Sequence, residues 1–299
     1  MTKHTLFRLR LERTTLVLGE RTLVMGVLNV TPDSFSDGGK FFRLDRAVEA
    51  ALAMQRAGAD LLDIGAESTR PGSTGIAASE EIARLLPILR ALRGRLKIPI
   101  SVDTQKATVA EIALGAGAQI LNDISGLKND PRLADVAAKF RAPLILMHRR
   151  GTPRTMQKGP FAKDALKDVT RGLRESIAMA RRAGVAKSQI ILDPGIGFGK
   201  SFAQNYELLA KLPQLAQLGY PLLVGTSRKG FLGATLARNG KPAPPEERIW
   251  GTAATVAASI LKGAHIVRVH DVAEMVQVAR VTDCLLHQGS AFAHRSTNT

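Results

Sequence analysis

The 299-residue sequence predicts an α/β fold, a (β/α)8 TIM barrel preceded by a short N-terminal β-hairpin. Three observations predict it. Eight short runs rich in Val, Ile and Leu fall in order at 23–30, 60–64, 98–102, 119–121, 143–147, 189–192, 221–224 and 265–269. Continuous apolar runs of that length suit parallel strands buried on both faces. Longer amphipathic stretches alternate with them, and no linker or low-complexity segment divides the chain. An open doubly wound sheet is the competing architecture, but it usually holds fewer strands than eight successive units supply.

The elements follow in order. Residues 6–24 alternate apolar and polar positions, and Leu18-Gly19-Glu20 supplies the expected hairpin turn. Helices are expected over 45–56, 79–92, 107–116, 164–183 and 246–262. Ser79 followed by Glu80 and Glu81 reads as an N-cap with acidic first-turn residues. Gly58 and Gly184 read as stops. The division expected is hairpin 1–22, barrel 23–287 and a flexible tail 288–299.

Composition narrows the class. Apolar residues make up 45% and charged residues 23%, ordinary for a soluble globular chain. No apolar stretch approaches the roughly 18 residues of a spanning helix. Arg8, Arg10, Glu12 and Arg13 interrupt any secretory core at the N-terminus. The one cysteine, Cys284, excludes an internal disulfide framework and a Cys-based zinc site. Beside Val276, Val281 and Leu285 it reads as a buried thiol. The expectation is a cytoplasmic enzyme. The net charge of +16 favours anionic partners, and residues 149–187 hold 11 basic against 3 acidic residues. A solvated basic helix face explains much of that. Nucleic acid is not expected as a partner, since aromatics are only 4% and no nucleic-acid-binding signature is visible.

The informative pattern is positional. Nearly every apolar run ends in a polar residue: Asn29, Asp63, Asp103, Asn122 and Asp123, His148, Asp193, Thr226 and Ser227, then Arg268 and His270. In a closed barrel these positions converge on the face where sites of this fold are built. Asp63 also reads as a residue that only holds neighbouring loops, and Asp123 as a cap. Two exits, 29–39 and 65–73, are crowded with Gly, Pro, Ser, Thr and Asp, as in loops that cover a site. The run 193–201, Asp-Pro-Gly-Ile-Gly-Phe-Gly-Lys-Ser, fails the phosphate-loop spacing because Pro194 stands where the first glycine belongs. Its glycines are expected to let backbone approach a flat ligand, with Phe198 packing on it. Arg228 and Lys229 are adjacent cations at the seventh exit. Lys229, facing three carboxylates, reads as serving a ligand or pairing with one of them.

Met25 to Gly39 reads Met-Gly-Val-Leu-Asn-Val-Thr-Pro-Asp-Ser-Phe-Ser-Asp-Gly-Gly, and residues 67–72 read Glu-Ser-Thr-Arg-Pro-Gly. With Ser101-Val102-Asp103-Thr104, Asn122-Asp123, the 193–200 run, Ser227-Arg228-Lys229 and Arg268-Val269-His270-Asp271, the chain resembles the dihydropteroate synthase family of pterin-binding enzymes from about residue 24 to 273. The two loops carry the specificity of that match; the barrel with Asp103, Asn122 and Asp193 alone fits any pterin-binding barrel. The resemblance implies condensation of 6-hydroxymethyl-7,8-dihydropterin diphosphate with 4-aminobenzoate, Mg2+ as cofactor, and a homodimer. It implies no membrane partner.

The chemistry explains the residue types. A reduced pterin presents paired donors that a carboxylate accepts together, which selects Asp193. The resemblance adds Asp103, Asn122, Met147 and Lys229 around the pterin. It places Asn29, Thr69, Arg70, Arg268 and His270 at the pyrophosphate, where the last three supply hydrogen bonds and charge. It gives Asn29 as the Mg2+ ligand, and Phe35, Thr69, Pro71, Phe198, Lys229 and Gly230 at the aminobenzoate. Asp33, Arg70, Asp103 and Lys229 are the expected catalytic residues. Met147 serves equally as core. Two departures stand out: Arg149-Arg150 follows His148 where relatives usually show Met-Gln, and Gly230 replaces a Ser found in some. A methyltransferase taking a methyl group from a folate on the same barrel is the alternative chemistry, and it leaves Asn29 and Arg268-Val269-His270 without a role. The segment 252–260 offers a small-residue helix face for a partner copy.

Overall fold

The computed structural model describes residues 4–12, 14–31, 40–68, 72–152 and 154–288, with backbone only at 40–43. A two-stranded antiparallel hairpin, β1 (Phe7–Arg10) and β2 (Thr15–Leu18), precedes eight parallel strands. These are β3 (Leu23–Asn29), β4 (Leu61–Gly65), β5 (Ile100–Asp103), β6 (Ile120–Asp123), β7 (Leu144–Met147), β8 (Ile190–Asp193), β9 (Leu223–Val224) and β10 (Ile266–Val269). The hydrogen-bonded order runs β8-β7-β6-β5-β4-β3-β10-β9, and a parallel bridge between Leu192 and Leu222 joins the two ends into a barrel. Helices α1 (Lys40–Arg56), α2 (Ala78–Leu92), α3 (Ala107–Gly115), α4 (Leu133–Phe140), α5 (Ala165–Arg182), α6 (Phe202–Ala210), α7 (Leu212–Ala216), α8 (Gly230–Thr235), α9 (Ile249–Leu261) and α10 (Val272–Leu286) fill the crossovers.

Strand alternation sorts the core into an outer and an inner layer. Leu28, Leu62, Ile64, Val102, Leu121 and Leu144 belong to the large cluster shared with the helices. Leu23, Met25, Leu61, Ile120, Ile145, Ile191, Leu223 and Ile266 form a separate cluster together with Leu9 and Leu18 of the hairpin. The hairpin therefore plugs the end of the barrel where the strands begin. Gln189 ties it down by donating from Nε2 to Arg10 O and Arg141 O.

Three expectations need correction. The hairpin strands join after β1 and before β2, where Leu11 N donates to Thr14 O at 2.8 Å, and not at Gly19. Gly19 instead sits at φ +98°, where a Cβ would meet Thr5 O at 2.5 Å, so it serves close passage of the chain. Ser79 does not cap its helix: α2 starts after Ala77 without a side-chain cap, which puts Ser79 inside the first turn, and Glu81 turns inward to pair with Lys106. On α10, Val276 is buried but Val281 and Leu285 point outward and Cys284 is only half-buried, since the apolar residues there do not keep one helical face. On α9 only one face of the 252–260 segment packs inside this chain, with Thr252, Thr255, Val256, Ser259 and Ile260 buried, while Ala254 and Ala258 stay exposed.

Candidate active site

The polar ends of the strands meet inside the barrel above the apolar plug. Asp63 and Asn122 are inward positions of β4 and β6, and Arg268 is the inward position of β10. Asp63 Oδ2 accepts from Arg268 Nε at 2.7 Å and from Asn122 Nδ2 at 3.0 Å. Arg268 Nη2 also donates to Asp103 Oδ2 at 3.1 Å. Asp63 was expected to hold loops; it is fully buried within the barrel and orients two site side chains instead. Asp123 does cap: its carboxylate accepts from Ser125 N and Leu127 N at 2.8 and 2.6 Å.

The bond to Asp63 fixes the Asn122 amide, so its Oδ1 is left buried and without a partner. Asp193, at the end of β8, accepts from Gly195 N through Oδ1 at 2.7 Å. Burial pushes the Asp193 carboxyl up, offset by that N–H and by Lys229, Lys200 and Arg268. Burial raises Asp103 to about 7 against the pull of Arg268, with Asp63, Glu81 and Asp123 adding to the rise. Lys229 is lowered to about 8 by burial and Arg268, while Asp193 and Asp103 oppose the shift. Its Nζ stands 4.0 Å from the centroid of the Phe198 ring, a cation–π contact. Asp103, Asn122, Asp193 and Lys229 thus share one rim with Arg268, and Met147, in register with Asp193, is buried beside them.

The glycines of the 193–201 turn make room for protein rather than for a ligand. A Cβ on Gly195 would lie 1.9 Å from His148 O, and one on Gly197 would lie 3.0 Å from Lys229 Cδ. Lys200 explains why the turn is so compact. Its buried Nζ donates to Gly195 O at 2.8 Å, His148 O at 2.9 Å and His148 Nδ1 at 3.0 Å. Three ammonium protons meet three neutral acceptors. Sequence reasoning gave Lys200 no role; its position at the close of a glycine-rich turn was the available signal. Ser201 and Gln204 then close a capping box that starts α6.

At the eighth exit His270 Nδ1 lies 3.0 Å from Ser227 Oγ. Burial, with Arg268, Arg228 and Lys229 nearby, pushes this imidazole down to about 3. It offers hydrogen bonds at neutral pH and not the charge expected of it. Arg228 leaves the site altogether and forks onto Asp271 through Nε and Nη2. Gly230 opens the six-residue α8 with nothing within 4 Å of a Cβ. Asn29 ends β3 half-buried, its Oδ1 close to Gly65, which Asp103 flanks from the other side. Asp33, Phe35, Thr69, Arg70 and Pro71 lie outside the described residues. Next to them, Glu67 accepts from Lys106 Nζ at 2.7 Å and from Ile76 N at 3.1 Å, so the base of the second loop is tied to α3.

A buried rim of fixed acceptors beside a lysine and an arginine, at the strand ends of a closed barrel, defines a barrel enzyme for a flat, nitrogen-rich ring with an anionic substituent. Comparison with known proteins agrees. A family profile described as pterin binding enzyme matches residues 25–270, and the chain belongs to that family, in its dihydropteroate synthase group. It is 51% identical to the dihydropteroate synthase of Synechocystis sp. over 267 residues, 89% of this chain and 91% of the relative. The Clostridium difficile dihydropteroate synthase, solved in the presence of pteroic acid, superposes with a TM-score of 0.84 at 46% identity, covering 90% of this chain and 98% of that one. The Xanthomonas albilineans dihydropteroate synthase with 4-aminobenzoic acid gives 0.87 at 42%, covering 94% and 99%.

Proposed function

We propose that this chain condenses 6-hydroxymethyl-7,8-dihydropterin diphosphate with 4-aminobenzoate, giving 7,8-dihydropteroate and pyrophosphate. The observation that carries the reading is the buried Asn122 Oδ1, fixed by Asp63 and lacking a donor, on the same rim as the Asp193 carboxylate. Acceptors held in place and left unmatched suit a ring edge rich in N–H groups. Unfilled, they carry a desolvation cost of roughly 1–3 kcal/mol each. Lys229 supplies the matching donor for the ring carbonyl. The folate methyl-transfer alternative has no use for an anion position at Arg268 and His270.

The C–O bond to pyrophosphate breaks and a C–N bond forms from the aniline nitrogen, which then loses its proton. Aniline nitrogen is a weak nucleophile, so bond breaking leads and positive charge spreads from the exocyclic carbon into the pterin. The ionised Asp103 carboxylate stabilises that charge. Arg268, with Arg70 and Thr69 of the second loop, balances the leaving group. Loops 29–39 and 65–73 exclude water that would otherwise capture the cation; Asp33 and Phe35 act there, and Phe198, Pro71 and Gly230 border the aminobenzoate.

The donor set fits Mg2+. Among the described residues no cluster of three or more His, Cys, Asp or Glu side chains could hold a metal. Asn29 offers one hard amide oxygen at the end of β3, across Gly65 from Asp103. Mg2+ keeps several waters and takes phosphate oxygens, so a single protein oxygen suffices, and when bound it neutralises developing diphosphate charge. The same reading makes the protein a cytoplasmic homodimer, with Trp250, Val281 and Leu285 supplying exposed apolar surface. Among the described residues no helix is long and apolar enough to cross a membrane.

The test is to incubate the protein with both substrates and Mg2+ and to measure pyrophosphate and dihydropteroate together. Equal amounts of the two, suppressed by EDTA, are expected. Pteroate formation without pyrophosphate, or indifference to EDTA, overturns the reading.

A further inference from the structure

The residue just before Lys229 has an unusual backbone. Arg228 stands at φ +58°, in the left-handed region. A residue with a Cβ adopts that conformation at a cost, and keeps it only where the surroundings enforce it. Three side chains meet Arg228. Its N–H donates to Thr252 Oγ1 at 3.2 Å, and its carbonyl accepts from Arg248 Nη1 at 2.8 Å. Its guanidinium forks onto Asp271, with Nε donating to Oδ2 at 3.0 Å and Nη2 to Oδ1. Thr252 is fully buried in the first turns of α9, and Arg248 ends the short turn Pro245–Arg248 that leads into that helix. Asp271 follows His270, whose backbone N and ring Nδ1 lie 3.2 and 3.0 Å from Ser227 Oγ. Two adjacent rungs, Ser227 to His270 and Arg228 to Asp271, therefore join the seventh and eighth exits.

Arg248 reaches the Arg228 carbonyl across α8. Its Nε donates to Ala243 O at 2.7 Å, so its guanidinium is held by two backbone carbonyls. The passage exists because α8 carries a glycine there. A Cβ on Gly233 would lie 2.5 Å from Arg248 Nε and 2.7 Å from its Cζ. Glycine inside a helix is unfavourable, and close approach of another group is what it allows. We propose that Arg248, with Asp271, is a positioning residue for Lys229: the two hold Arg228 left-handed, so that the next side chain stands over Phe198 and faces the pterin rim. Turning Arg228 to negative φ would break its bonds to Thr252 and Arg248. It would also redirect the Cα–Cβ bond of Lys229 and take Nζ from the ring centroid it holds at 4.0 Å. The consequence for binding rests on the role of Lys229 in the proposed condensation; the consequence for the conformation of Arg228 does not.

A crystal structure of Arg248→Ala and a double-mutant cycle test this. In the crystal, Arg228 should move to negative φ and Lys229 should leave Phe198; the wild-type conformation at both residues overturns the proposal. The cycle is read by titration of the full chain with 6-hydroxymethyl-7,8-dihydropterin diphosphate. Arg248→Ala should weaken binding about fivefold or more when Lys229 is present and by less than about twofold in the Lys229→Ala background, because a residue acting through Lys229 then has nothing to position. Equal losses in the two backgrounds mark a merely structural residue and overturn the proposal. Gly233→Ala is the second route. It leaves every charge in place and favours the helix, yet its Cβ displaces Arg248, so the same loss and the same dependence on Lys229 are expected. Should Arg248→Ala fail to fold, Gly233→Ala decides. If the wild type does not bind the diphosphate, the proposed condensation fails, and the conformation of Arg228 in the variant decides the positioning claim by itself.

Discussion

Asp63 Oδ2 receives both Arg268 Nε, at 2.7 Å, and Asn122 Nδ2, at 3.0 Å, so one buried oxygen sets the orientation of an arginine from β10 and an amide from β6. The carboxylate has no exposure of its own. Asp63→Asn should keep the volume but leave Arg268 with a single carboxylate, Asp103. Breaking such a buried pair typically costs about 3–5 kcal/mol. We expect a lower unfolding temperature together with weakened pterin binding, read by thermal denaturation and titration. Loss of one without the other would separate the structural role of Asp63 from its orienting role.

Asp193→Asn tests the ring edge directly. The amide would oppose a donor to a donor, and pterin affinity should fall by about 2 kcal/mol or more, some thirtyfold. Pterin binding at the wild-type level would remove Asp193 from the recognition of the ring.

The pH dependence follows from two opposed groups. Asp103 must be ionised to stabilise positive charge, and its carboxyl is raised to about 7. Lys229 must be protonated to donate, and its ammonium is lowered to about 8. Activity therefore rises as Asp103 loses its proton and falls as Lys229 loses its own. The profile of kcat/KM for the pterin substrate should be a narrow bell centred between pH 7 and 8. Asp103→Asn should lower activity and remove the acid limb, and Lys229→Arg should move the alkaline limb upward. An acid limb that survives Asp103→Asn would assign it to another group.

Lys200 holds the turn that carries Asp193 without touching the pterin rim. Lys200→Met strands three acceptors, His148 O, His148 Nδ1 and Gly195 O. Pterin affinity should drop several-fold while the aminobenzoate KM stays within twofold. Equal losses for both substrates would show a general loss of structure instead.

The hairpin makes the complementary prediction. Leu9 and Leu18 are fully buried against the barrel plug, far along the strands from the site. Leu9→Ala should cost about 2–5 kcal/mol of stability and leave kcat unchanged below the new unfolding temperature. A fall in kcat for the folded variant would show that the two ends of the barrel are coupled.

Much of this molecule was legible in its sequence. Eight Val/Ile/Leu runs give eight strands because residues buried on both faces cannot alternate with polar ones, and each run ends where its first solvent-facing or site-facing side chain begins. Asn122 and Asp193 stood out for the same reason: a polar residue at the end of an apolar strand has few places to go; Lys229 was legible instead as one of two adjacent cations in the seventh exit loop. Asp33, Phe35, Thr69, Arg70 and Pro71, the residues most specific to the resemblance, lie outside the described residues, so their placement rests on the sequence alone.

What only the tertiary structure decided are relationships between residues far apart in the chain. Asp63 could not be told from an ordinary turn-former until β10 brought Arg268 beside it, 205 positions on. The glycines at 195 and 197 looked like room for a ligand and proved to be room for His148 and Lys229. The charge expected of His270 disappeared once burial and three neighbouring cations were in place. Side-chain type and local periodicity are written in the chain because they act over a few residues. Protonation, hydrogen-bond partnership and the use of empty space depend on what arrives from elsewhere, and only barrel closure brings those groups together.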